Sequence, residues 1–438
     1  MLSKEKNDVL TQVGAGTPAG KVMRQYWIPA ALSEEVYGDK RIAPVTLMGE
    51  SLVLFRNDEG GLGLIDRRCP HRGVDLCYGR LEGNGLRCPF HGWNFAVDGK
   101  CLEQPGEPEG STAYEKIKTK SYPVVEKNGI VFTFMGQGEP PEFPNFDCFR
   151  APDSHVFSFK GYWNCNWLQA LEVGIDPVHA SFLHRFLEDE DPSDQYGKQF
   201  RDTAAGTDIP ITQVLREYPR PEILVNKTEF GLRLTTLRHL KNGKSHVRVT
   251  NQIFPCAITI PMSATMNITQ WHVPIDDESC LWYSMFTSFE APVDKEKMRA
   301  QRVSENTSVG YMPKRNAANE YGFDPKEQET LTYTGMGMDI NVHDQWAVES
   351  QGRIRDRTLE NLATTDKAIG AHRQLILQAI SKLGSDVPDL SNFLSDMPPK
   401  DIIGPIALDA VAVTDDYEGL WREKDAERRA SCEWDATL

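Results

Sequence analysis

The sequence predicts an α+β fold of two domains: an N-terminal antiparallel β-sandwich interrupted by two inserted loops, then an antiparallel sheet flanked by helices. Three observations carry this expectation. Short β-rich runs punctuated by turn residues fill the region after residue 25, the pattern of antiparallel strands. Two segments that each pair a cysteine with a histidine, Cys69-Pro70-His71 and Cys88-Pro89-Phe90-His91, break into those runs. The 438-residue length far exceeds the roughly 120 residues such a module fills, so a second substantial domain is implied.

In chain order, residues 1–25 read as a polar N-terminal helical segment ending around Gly14-Ala15-Gly16-Thr17-Pro18, where glycine and proline punctuate. The first domain is expected over 26–145. It has strands in Val45–Phe55 and Gly61–Ile65, and a hairpin where Val124-Val125 and Ile130–Phe134 flank Lys127-Asn128-Gly129. Pro140-Pro141-Glu142-Phe143-Pro144 forms a stiff bridge, and the second domain is placed at 146–438. There a helix is expected from Trp163 to about Leu187, then a loop at the acidic Glu188-Asp189-Glu190-Asp191. Leu232–Leu240 and Val247–Phe254 flank Asn242-Gly243 as a long hairpin, and Ala257–Ile260, Met266–Val273 and Leu281–Phe289 add strands. Leu359, Leu362, Ile369, Ile376 and Ile380 stand at helical spacing and predict one amphipathic helix over Arg353–Leu383.

The two Cys-His pairs, sixteen residues apart, suit a [2Fe–2S] cluster of the Rieske type, with Cys69 and Cys88 on one iron and His71 and His91 on the other. Neutral imidazoles in place of thiolates raise the reduction potential above that of an all-cysteine cluster. The alternative is a structural zinc site, but zinc fingers pair Cys with Cys and His with His, whereas each segment here mixes the two. Gly73, Gly92, Pro70 and Pro89 supply the tight turns that a clamped cluster needs. The disulfide-stapled Rieske proteins of respiratory chains carry an extra cysteine in each loop, where this chain has Val74 and Phe90. Cys77 is read as a free buried thiol, and the cluster as one that feeds an oxygenase.

The net charge of −15 and the absence of basic runs exclude nucleic acid and an anionic membrane surface as partners. Nine cysteines without a secreted-type framework or an apolar leader point to the cytoplasm, and no run is long enough to span a bilayer.

The segment Asp176-Pro177-Val178-His179-Ala180-Ser181-Phe182-Leu183-His184 carries a second signal. In a regular helix His179 and His184 would diverge by about 140°, so joint metal binding needs a helix broken near Pro177. Two histidines and a distant carboxylate can form the facial triad of non-haem Fe(II). Taken alone, histidines five apart are more often ordinary core or surface residues.

With both motifs in this order, the chain resembles the Rieske non-haem iron oxygenases, terminal components of aromatic ring-hydroxylating dioxygenases and O-demethylases, and most of all the phthalate-dioxygenase type. The resemblance implies a Rieske domain followed by a helix-grip-like catalytic domain, with His179, His184 and Asp344 holding mononuclear Fe(II). Asp339 and Glu349 are the alternatives to Asp344, which could instead cap a helix. Asp176 would bridge electron transfer from His91 of a neighbouring subunit, in a homotrimer or a dimer of trimers. Glu172 falls where some relatives carry an asparagine near the iron. O2 is the implied co-substrate in aromatic catabolism. No dinucleotide fingerprint is present, so NAD(P)H would act only through a separate reductase, with or without a ferredoxin.

An aromatic carboxylate is the expected substrate, with Arg233, Arg238 and Arg248 on the predicted hairpin as partners and Ser181 also facing the pocket. Each arginine could equally be a surface charge on its strand. A demethylating monooxygenase uses the same residues and differs in product. A simple electron-transfer protein would leave most of the chain unexplained.

Overall fold

The computed structural model describes residues 2–187, 205, 209–241, 243–383, 390, 392–413 and 415–435. The acidic loop expected at 188–191 and the turn residue Asn242 lie outside the described residues.

The N-terminal segment forms two helices, Lys4–Thr11 capped by Ser3 and Pro18–Met23 capped by Thr17, where one was expected. The break is chemical. Gly14 and Gly16 weaken helix propagation between them, and Pro18 is preorganised to start a helix rather than to continue one. The first helix and the turn after it are bonded to the second domain: Asn166 Nδ2 donates to Thr11 O at 3.0 Å, and Val13 N donates to Asp277 Oδ1 at 2.8 Å.

The first domain contains three small antiparallel sheets. Asn128 and Gly129, at φ +46° and +84°, make the two-residue turn that joins Val124–Lys127 to Ile130–Thr133. A four-stranded sheet, Arg80–Glu82, Gly85–Arg87, Asn94–Ala96 and Cys101–Glu103, carries the second Cys-His loop. Beneath both loops lies a core of Val53, Phe55, Ile65, Leu76, Leu86 and Phe95, joined by Cys69 and Cys88.

An eight-stranded antiparallel sheet is the spine of the second domain. Its path begins with Val156–Trp163, then Cys280–Ser288, Met266–Pro274 and Ala257–Pro261, and ends with Ser245–Ile253, Gly231–His239 and Glu222–Thr228; Leu408–Ala412 adds to Ser245–Ile253. Trp163 therefore ends a strand, and the expected helix from Trp163 to Leu187 shrinks to Trp167–Ile175. Asn166 caps it through Leu168 N, and Asp176 and Pro177 close it. Its Trp167, Leu168, Ala170 and Leu171 are buried, and the two leucines each contribute about 1.5–3 kcal/mol by that burial.

The long helix expected over Arg353–Leu383 is confined to Lys367–Lys382. Leu359 and Leu362 are 67 % and 42 % exposed, so their helical spacing does not mark a buried face. The main chain before the helix is committed to the short helix instead: Asn166 N donates to Arg353 O, and Arg355 N donates to Gln169 Oε1. The helices Ile340–Glu349 and Tyr417–Ser431 were not anticipated.

Candidate metal centres

The two Cys-His loops are built as twins. Cys69 N donates to Val74 O at 2.9 Å and Gly73 N to Cys69 O at 2.8 Å; Cys88 N donates to Trp93 O at 2.8 Å and Gly92 N to Cys88 O at 3.0 Å. Gly73 and Gly92 occupy matching left-handed positions at φ +75° and +77°, a conformation that penalises any side chain. Arg67 holds the first loop through Asp75, whose carboxyl it lowers to about 2. Arg87 holds the second by donating to Gly92 O at 2.6 Å.

The sulfurs are buried and the imidazoles exposed. His71 stacks on Trp93 with centroids 4.4 Å apart, and its ring lies 4.5 Å from that of His91. Burial pushes the Cys69 thiol up to about 11, and the neighbouring Cys88 sulfur adds to the shift. Two adjacent buried thiols are stable as thiolates only when cations share them, which a cluster provides. All nine cysteines are free, so no disulfide staples the loops, and Cys77 is half-buried rather than fully buried.

The second centre is assembled from two distant segments. His179 sits on the 3₁₀ turn His179–Ser181, just after the helix ended by Asp176-Pro177, and His184 follows it. Asp344 comes from the middle of the helix Ile340–Glu349. Donor atoms of His179, His184 and Asp344 lie within 4.8 Å of one another, the sole such trio found among the described residues. His184 Nε2 is 3.1 Å and His179 Nε2 3.9 Å from Asp344 Oδ1.

Asp344 Oδ1 is buried and has no hydrogen bond of acceptable geometry, an orphaned anionic oxygen between two imidazole nitrogens. A divalent cation fits that donor set. Burial raises the Asp344 carboxyl, but the neighbouring His184, His179 and His343 more than offset it and lower its pKa. The other carboxylates considered are engaged elsewhere. Asp339 caps the helix and pairs with Arg302 at 2.8 Å, while Glu349 accepts from Asn164 N and Tyr321 OH.

Glu172 does not join the trio of His179, His184 and Asp344. It holds Arg357 and Arg373 at 2.8 and 2.6 Å in a buried ion-pair group. Asp176 lies between two cavities, lining both an inner one with His179, His184 and Asp344 and an outer one rimmed by Phe182, Phe323 and Tyr333. His179 Nδ1 bonds the main-chain oxygen of Asp176, not its carboxylate, and Asp176 Oδ1 accepts from Val178 N at 2.8 Å.

The inner cavity measures about 120 Å³ and is walled by apolar side chains such as Ile258, Ile260, Ile268, Trp282 and Phe286. Of the three arginines expected to contact substrate, only Arg248 lines it. Arg233 lies on the opposite face of its strand, over the rings of Phe230 and Trp421. Arg238 is fully buried behind the wall, donating to Tyr218 O and Thr236 Oγ1. Ser181 is buried outside the lining. Arg302 and Gln270 also line the cavity, and strand or helix position alone gave no sequence signal for either.

A surface iron–sulfur domain joined to a partly buried two-histidine, one-carboxylate centre defines a class, the oxygenases that reduce O2 at non-haem iron. Residues 26–123 match the Rieske [2Fe-2S] domain model, and residues 133–433 match the model described as LigXa C-terminal domain like. The phthalate 4,5-dioxygenase oxygenase subunit of Pseudomonas putida is 34 % identical over 87 % of each chain. The 5,5'-dehydrodivanillate O-demethylase oxygenase subunit of Sphingobium sp. (strain NBRC 103272 / SYK-6) is 32 % identical over 87 % of this chain and 81 % of its own. The crystal structure of dicamba monooxygenase bound to dicamba shares the fold, with a TM-score of 0.56 at 17 % identity over 82 % of this chain and 98 % of that one. The chain belongs to the Rieske non-haem iron oxygenases, as a terminal oxygenase subunit carrying a [2Fe–2S] domain and a mononuclear iron domain. No helix among the described residues is long and apolar enough to cross a membrane.

Proposed function

We propose that this oxygenase acts as a dioxygenase on a single-ring aromatic carboxylate, with electrons supplied by a separate cytoplasmic reductase, directly or through a ferredoxin. The observation that carries the substrate class is the charge behind the cavity wall. Arg248 and Arg238 face one carboxylate, Asp409, while burial lowers the pKa of His246 beside it and keeps that ring neutral. Burial lowers Arg238 to about 10, which still leaves it charged at neutral pH. One positive charge is thus in excess around Asp409, on the side of the cavity that Arg248 lines and away from Asp176 and Asp344, and a substrate carboxylate would balance it. The volume of about 120 Å³ is near the roughly 150 Å³ that accommodates benzene, which supports one ring.

Cys69, Cys88, His71 and His91 would hold the cluster, and His179, His184 and Asp344 the mononuclear iron, which supplies O2 activation when bound. The apolar wall excludes water and orients the ring, and Arg248 fixes the carboxylate end. Asp176 would connect the centres between neighbouring subunits of a homotrimer or a dimer of trimers. Exposed Phe90 and Tyr78 near the cluster and exposed Phe182, Phe323 and Tyr333 around the outer cavity support that docking.

O-Demethylation is the second reading, favoured by the 32 % identical demethylase subunit. The test is reductase-coupled O2 uptake with a panel of benzoates, methoxybenzoates and uncharged analogues. Consumption with benzoates and formation of a dihydrodiol are expected; formaldehyde would identify a demethylase, and turnover of the uncharged compounds alone would reject the carboxylate.

A further inference from the structure

His343, directly before Asp344, is fully buried and makes two contacts that fix its proton. Its Nε2 lies 2.8 Å from the carbonyl oxygen of Gly337. A carbonyl only accepts, so Nε2 carries the hydrogen and a neutral ring leaves Nδ1 as an acceptor. His343 Nδ1 faces His184 Nδ1 at 3.5 Å, with the two rings 23° from parallel. His184 Nδ1 must then be the donor, which leaves the lone pair of His184 on Nε2, the nitrogen 3.1 Å from Asp344 Oδ1.

The far end of this chain is anchored. Arg315 donates to Met336 O at 2.6 Å, and Gly337 N donates to Glu327 Oε1 at 2.8 Å. Gly337 stands at φ +79°, and a Cβ there would fall 1.9 Å from the Arg315 guanidinium, so the loop that presents its carbonyl requires glycine. His179 is set in the same tautomer by a simpler device, the main-chain oxygen of Asp176.

We propose that His343 is a positioning residue that orients His184 and holds it in the tautomer whose Nε2 binds the mononuclear metal. A metal-bound imidazole is ordinarily oriented by a carboxylate or a main-chain carbonyl, and loss of such a partner lowers metal affinity about 10–100-fold. Here a second imidazole relays the constraint from Gly337. The inference rests on His184 being a ligand of that metal.

The experiment measures Fe(II) dissociation constants, and the ligand-field spectrum of Co(II), after chelator removes the mononuclear metal from cluster-loaded protein. Cluster absorbance reports that the rest of the chain is intact. The amide oxygen of His343→Asn replaces the Nδ1 acceptor, whereas His343→Gln places its amide near Nε2 and leaves no acceptor facing His184. Binding about 10–100-fold weaker is expected for His343→Leu and His343→Gln with a shifted Co(II) spectrum, and affinity within about threefold of the parent for His343→Asn. Parent-like affinity in His343→Leu, equal weakening in all three variants, or rescue by Gln but not Asn would each overturn the proposal. If the Leu variant does not fold, the Asn–Gln contrast decides alone. A His184→Ala control that kept parent affinity would instead refute the ligand assignment on which the proposal rests.

Discussion

The two metal centres solve opposite problems. At the proposed cluster site, four candidate donors come from two loops within 23 residues of chain, and both histidines face solvent. At the proposed mononuclear centre, the third candidate donor lies 160 residues beyond the second, and a partly buried carboxylate faces two imidazoles at the end of an apolar cavity. Exposure suits a centre that exchanges electrons with other surfaces. Burial suits one where O2 must meet substrate without competing water. The same contrast recurs in second partners: arginines and turn hydrogen bonds brace the cluster loops, whereas His184 is braced by another imidazole.

The largest effect that separates the regions is expected from Asp344→Ala. Mononuclear iron should be lost and turnover should fall by about a hundredfold or more, while cluster absorbance stays at the parent level. Retained iron would remove Asp344 from the ligand set. Next, Asp176→Asn should keep both metals yet slow turnover on the order of a hundredfold, because it alters the link rather than either centre. Single-turnover oxidation of a chemically reduced cluster, followed after mixing with O2 and substrate, checks this; full activity would remove Asp176 from the path.

Arg248→Met should act on substrate alone. KM for a benzoate should rise about 10–30-fold, in line with loss of a charge-assisted bidentate contact, with kcat and both metal contents little changed. An unchanged KM would place carboxylate recognition elsewhere.

A separate contrast comes from acid. Buried His272 and His372 titrate at about 3 and about 4, in each case lowered mainly by desolvation, against about 6.5 when unfolded. Between those values the unfolded chain binds more protons, so stability falls as pH drops below about 6.5, by about 1.4 kcal/mol for each histidine at pH 5.5. Both residues belong to the second domain, whereas the histidines of the first are exposed. Hydrogen exchange should therefore show protection lost from the large sheet between pH 7 and 5.5 ahead of the cluster sheet. Equal loss in both would overturn the contrast.

The cluster loops were legible because their donors, turns and glycines are neighbours in sequence. The break at Pro177 was legible only as a condition on His179 and His184 sharing a metal, and the helix expected to reach Leu187 ignored it. Leu359 and Leu362 misled, as helical spacing cannot report that the surrounding main chain is bonded to Gln169 and Asn166. Glu172 was unreadable because its partners, Arg357 and Arg373, are about 190 residues away. His343 did leave a signal, a histidine directly before a candidate ligand, but only packing shows what its ring nitrogens touch.

The sequence by itself determined the family and singled out both sets of candidate histidine and cysteine donors, and it set the condition that His179 and His184 can share a metal only if the backbone breaks near Pro177. These follow from residue type and short-range spacing. Only tertiary structure brought Asp344, and not Asp339 or Glu349, beside His179 and His184, placed Arg248 rather than Arg233 or Arg238 at the cavity, and joined His343 to His184. Each of those depends on which faces of distant elements meet, and burial of charge allows few such meetings because every buried ion or polar atom needs a partner.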